Sequence, residues 1–168
     1  MKREVLTTKT IAQFPEGEVI IYEGEYNEKD IDDLQIIASW IANHIGGSIY
    51  ILPRISSIKD PKYDIIFSGL KGTEYEGKCP DFKVVTKRGD VMFIEYESFS
   101  RPFKPSKLSD MLRRGSLQSD SIIIDVRDST IQPNHIRRQI MNKLRDPKFE
   151  RPITNVWGYD GKRLVKEW

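Results

Sequence analysis

Few of the residues that most often announce a reaction are present. There is one cysteine, Cys79, and there are two histidines, His44 and His135, in 168 residues. A single thiol cannot close an internal disulfide, and no Cys/His grouping has zinc spacing. Cys79 stands next to Pro80, and with so few histidines a Cys-His nucleophile is disfavoured; a small buried thiol is expected. No apolar run approaches the roughly 18 residues of a membrane span, and the opening MKREVLTTKT lacks the apolar region of a secretory signal. A chain with no membrane association, suited to the reducing cytoplasm, is expected. Charged residues make up 31 % yet the net charge is only +2, so no strong global field draws the protein to nucleic acid. Repeats and low-complexity tracts are missing too, and the length fits one domain with a sizeable core.

The informative stretch is Pro80 to Val126. Pro80 to Val85 and Val91 to Tyr96 are β-rich runs joined by Lys87-Arg88-Gly89-Asp90, whose glycine supplies the positive φ of a tight hairpin. Side chains alternate along a strand, so Glu95 and Glu97 share a face with Phe93, while Ile94 and Tyr96 take the other. Ser121 to Val126, SIIIDV, reads as a buried central strand with Asp125 near its end. Nine Lys and Arg residues fall between Lys78 and Arg114. They suit a solvated basic face or phosphate contact, and Lys104 is taken as one such contact.

Around this stretch, Met1 to Pro15 reads as a loose polar arm and Glu18 to Tyr22 as a short strand. Glu28 to Ile45 has apolar residues at helical spacing, Asn27 as N-cap and Gly46-Gly47 as terminator. Ser48 to Leu52 reads as a strand. Arg54 to Cys79 is irregular, with a short strand expected at Asp64 to Phe67, and a long excursion of this kind suggests a segment lying over a site. Ser106 is the expected N-cap of a helix through Leu117, and Pro133 opens another over Asn134 to Arg145. Ile153 to Trp157 and Arg163 to Val165 form a hairpin across Asp160-Gly161. The order predicts an α+β domain, a mostly antiparallel sheet with helices on one side, over 27–168, with 1–26 as an arm or short strand.

Two chemistries fit. Pro80-Asp81 followed by a hairpin and Glu95-Tyr96-Glu97 resembles the PD-(D/E)xK nucleases, in which an aspartate and a glutamate from adjacent strands hold Mg²⁺ and a lysine two residues on orients water. By that reading Asp81 and Glu95 are the metal ligands, and Glu97 stands where the lysine belongs.

More of the chain is covered by a second resemblance. The phrases IASWIANHIGGSIYILP, CPDFKV, FIEYES, LRRGSLQSDSIIIDVRD and ITNVWGYDGKRLVKEW resemble the tRNase-like domain at the carboxyl ends of contact-dependent growth inhibition toxins, of the barnase/EndoU/colicin/RelE-like ribonuclease superfamily. The resemblance spans about Ile31 to Trp168. It implies cleavage of RNA, tRNA foremost, without a cofactor, and an immunity protein as partner; the chain would then be a bacterial or mobile-element toxin domain. It also implies roles: Glu95 or Glu97 as general base, Arg113 or Arg114 as electrostatic clamp, and Ser98, Gln118 and Ser119 as orienting groups. The family carries a lysine where this chain has Glu97, so a silenced domain that only binds nucleic acid or protein is a further alternative.

Each candidate also has a plain structural reading. Glu95 and Glu97 suit ion pairs with Arg113 and Arg114. Gln118 and Ser119 suit a capped turn, and Asp125 suits an inward carboxylate holding an arginine.

Overall fold

Asn27 starts the first helix. Its side chain accepts a hydrogen bond from Lys29 N at 3.1 Å, and Glu28 and Asp30 place negative charge at the helix's positive end. A computed structural model describes residues 6–99, 102, 104–129, 131, 133–149 and 152–168, and the chain divides into two compact units, Met1–Met92 and Phe93–Trp168.

The first unit contains β1 (Thr8–Gln13), β2 (Gly17–Tyr22), α1 (Glu28–His44), β3 (Gly47–Ile51), α2 (Pro61–Ile66), a 3₁₀ turn at Ser68–Leu70 and β4 (Phe82–Val85). β1 pairs antiparallel with β2, β2 parallel with β3, and β3 antiparallel with β4. α1 makes the crossover between the parallel pair, as parallel strands require. It packs on both, burying Leu34, Ile37, Ala38, Ile41 and Ala42. Gly46 and Gly47, at φ +79° and +85°, turn the chain back. At Gly47 an added Cβ would stand 2.2 Å from Val85 O, so this glycine lets two backbones approach as well as turn.

Two sequence expectations change here. Thr8–Gln13, within the expected arm, is strand β1. Most of its residues are exposed, which is why no apolar pattern marks it. The strand expected at Asp64 to Phe67 is instead the end of α2. Asp60 caps that helix, accepting from Lys62 N at 2.9 Å, and Pro61 fits its first turn, so start signals outweigh the β-prone Ile65-Ile66-Phe67. Tyr63 then fastens the excursion: its hydroxyl donates to Lys78 O at 2.9 Å and accepts from Gly77 N at 2.7 Å.

The second unit takes most of β5 (Val91–Ser98), then α3 (Pro105–Ser116), β6 (Ser121–Asp125), α4 (Pro133–Leu144), β7 (Asn155–Tyr159) and β8 (Leu164–Lys166). β5, β6 and β7 run parallel, with α3 and α4 as crossovers, and β8 closes antiparallel on β7. The α+β class stands. Antiparallel pairing falls where turns join strands, and parallel pairing wherever a helix intervenes. β6 is buried along its whole length, as its apolar run predicted. Leu108, Met111 and Leu112 of α3 share one core with Ile136 and Ile140 of α4 and with Ile122 and Ile124 of β6, so both helices cover the same face of this unit's sheet.

α3 begins one residue before the expected cap: Lys104 occupies the N-cap position and Pro105 the first turn. Gly115 brings the helix close to β6, where an added Cβ would meet Ile122 Cδ1 at 2.9 Å. Among the described residues, no helix is long and apolar enough to cross a membrane.

The close approach at Gly47 generates a prediction. Gly47→Ala would combine a left-handed backbone with a backbone clash, so it should lower unfolding free energy by about 2 kcal/mol or more, read as a shifted urea midpoint.

Candidate functional site

Register decides which candidates meet. Glu95 lies beside Ile122 and Glu97 beside Ile124, while Tyr96 lies beside Ile123 and Ser98 beside Asp125. Because Ile122 and Ile124 face the helices, Glu95 and Glu97 stand on the helix-covered side of β5, and Tyr96 and Ser98 on the other. The alternation read from sequence holds, and it separates Ser98 from the two glutamates.

On the helix side, α3 delivers Arg114 to Glu97. The Nη2 atom donates to Glu97 Oε2 at 3.3 Å; the arginine side chain is 60 % exposed and the glutamate side chain only 16 %. The carboxylate is thus fixed in the protein while the guanidinium, with five donors and one partly used, remains open to solvent. Arg113 does not join them. Successive helical residues point about 100° apart, and Arg113 turns to Asp110, at 3.6 Å, and to a cavity between α3 and the end of α4. The expected pairing of both arginines with the glutamates therefore applies to Arg114 alone.

The other face carries a cluster at the carboxyl ends of the parallel strands. Asp125 is 2 % exposed. Its Oδ2 accepts from the Tyr96 hydroxyl at 2.7 Å and from Arg127 Nε at 3.1 Å, while Oδ1 accepts from Arg127 N at 3.0 Å. The guanidinium of Arg127 also lies 5.7 Å from the centre of the Tyr159 ring. Asp125 is the inward carboxylate holding an arginine, not a group presented to substrate. Sequence reasoning passed over Tyr96 and Arg127, although an aspartate two residues before an arginine is the pattern of an Asx turn.

Ser119 is likewise committed inside. Its hydroxyl donates to Phe93 O at 2.7 Å and accepts from Ser121 N at 3.1 Å, buried between strand and turn. Gln118 is half-buried, its N–H donating to Gly115 O at 2.9 Å as the helix unwinds. Ser98 and Lys104 are exposed. Asp81, in the amino-terminal unit, directly precedes β4, and its carbonyl accepts from Leu52 N at 2.9 Å. Among the described residues, no three His, Cys, Asp or Glu side chains group so as to hold a metal ion.

Removing the Asp125 carboxylate would strand the Arg127 guanidinium in a largely buried site. Asp125→Ala should therefore cost about 3 kcal/mol of unfolding free energy in chemical denaturation, with Ser98→Ala close to neutral as the control.

No protein-family model matches this chain, and no curated protein does. Among solved structures, a chain of the CdiA-CT/CdiI toxin and immunity complex from Burkholderia pseudomallei is similar over 86 % of this chain and 88 % of its own length, at 16 % identity and a TM-score of 0.52. The likeness is one of fold, and this chain has a toxin-like architecture in that sense.

Proposed function

We propose that this chain is a toxin-type ribonuclease domain whose reacting groups stand around the Glu97–Arg114 pair. That pair is the observation that carries the reading. A glutamate where the related toxins carry lysine would by itself repel a phosphate. Here Arg114 neutralises it and returns a cation to the same place from the neighbouring helix. The similarity to a chain of a toxin and immunity complex supports the toxin-type assignment, and an inhibitory partner protein belongs to the same proposal.

In this scheme Glu95 takes the proton of a ribose 2′-hydroxyl. The freed oxygen attacks the adjacent phosphorus, forming a 2′,3′-cyclic phosphate as the bond to the 5′ oxygen breaks, and that oxygen leaves with a proton. Arg114 holds the non-bridging oxygens where charge accumulates, and Glu97 keeps Arg114 in place. Glu97 is thus a positioning residue. Gln118, at the turn after α3, is the nearest remaining candidate in sequence for orienting the substrate.

The deciding experiment incubates purified protein with total tRNA, with EDTA and with added Mg²⁺. Cleavage is expected in EDTA. It should fall roughly 100- to 1,000-fold in Arg114→Ala and comparably in Glu95→Ala. The metal-dependent alternative, read from Pro80-Asp81 and Glu95 in the sequence, predicts activity that appears only with Mg²⁺ or Mn²⁺ and is lost in Asp81→Ala. Activity that appears only in Glu97→Lys would mark the natural chain as a silenced binding module.

A further inference from the structure

The cavity that receives Arg113 has a composition the scheme above does not use. It measures about 360 Å³ and lies between the last turn of α3 and the turn after α4. Arg113, Lys143 and Lys148 line it with Asp146 as the acidic member, and Leu117 and Phe149 supply apolar surface. Its far wall is built by a local device. Asp146 Oδ1 accepts from Lys148 N at 2.9 Å and Asp146 O from Phe149 N at 3.0 Å, which folds the chain back after α4. Phe149 thereby packs against the core cluster, so its ring is held rather than swinging in solvent.

Cations near helix carboxyl ends often do no more than answer the helix dipole, and that explanation can be weighed. Each helix end contributes about half a negative charge. Together with Asp146, that makes roughly two negative charges facing three cations. About one positive charge remains in excess, the complement of a single phosphodiester. The volume is at the lower end of the usual range for small-ligand sites, and a fixed aromatic ring beside cations is the arrangement that stacks a nucleobase while holding its phosphate.

We infer that this cavity is a nucleotide subsite: it takes one phosphate and one base of a single-stranded RNA segment whose scissile phosphate lies at Arg114. The inference rests on the ribonuclease reading. It assigns different duties to two consecutive residues with Cα atoms about 3.8 Å apart. Arg114 serves the chemistry, and Arg113 holds the strand beyond it.

The test measures binding of a fluorescein-labelled RNA of about a dozen nucleotides, 2′-O-methylated throughout so that it cannot be cleaved, by fluorescence anisotropy over a salt series. Arg113→Ala and Lys148→Ala should each weaken binding about tenfold near 50 mM salt and reduce the slope of log K against log salt by about 0.7. Phe149→Leu should weaken binding about tenfold and leave the slope unchanged. Melting curves matching the unmodified protein check folding, and Arg113 and Lys148 are exposed enough to be replaced without loss of packing.

If all three variants bind like the unmodified protein while that protein still cleaves tRNA, the subsite is overturned and the ribonuclease reading stands. If the unmodified protein neither binds nor cleaves RNA, both fall. Preference for polyglutamate over RNA, abolished in Arg113→Ala, would also overturn the subsite, in favour of an acidic protein partner.

Discussion

The second unit is organised around a buried negative charge. Asp125 ends the central strand almost entirely shielded from water, a position an isolated carboxylate could not hold without several kcal/mol of desolvation cost. Tyr96 from β5 and Arg127 from the following turn offset that cost, so the charge becomes a reason for the strands to sit where they do. The Tyr96 hydroxyl ties β5 to β6 beyond their backbone ladder, and Arg127 reaches on towards Tyr159 at the end of β7. Three parallel strands are thus joined at their carboxyl ends by one ionic group.

That tie also fixes which side of β5 is available for chemistry. With Tyr96 turned to Asp125, strand alternation leaves Glu95 and Glu97 on the helix side, beside the end of α3. The Glu97–Arg114 contact follows from the pleat of β5 together with the rotational phase of α3. Neither residue needs unusual backbone geometry to reach it, and no described residue other than glycine has a positive φ.

Much of this was legible from local signals. α1 announces itself through a cap, a period and a pair of glycines, and β6 through an unbroken apolar run. The two glutamates on one face follow from alternation alone. What could not be read is whatever depends on a distant partner. β1 carries little apolar pattern because one neighbouring strand, and not a core, defines it. The cap before α2 lies in a segment whose later residues favour strand. Ser119 looked like a ligand group because nothing nearby in sequence shows that Phe93 O takes its proton. The parting of Arg113 from Arg114 was within reach, since helical rotation alone predicts it once the α3 segment is accepted as helix.

Gly115 gives position 115 an importance its lack of a side chain conceals. Contact between α3 and β6 is close enough there that any carbon beyond Cα presses on Ile122, so the helix-to-sheet spacing is set at the residue immediately after Arg114. The glycine acts as a depth stop for the guanidinium. A bulkier residue would raise the helix and draw the cation away from its carboxylate with every polar group in the site still present. Loss of function by that route would leave no mark in an inventory of catalytic side chains.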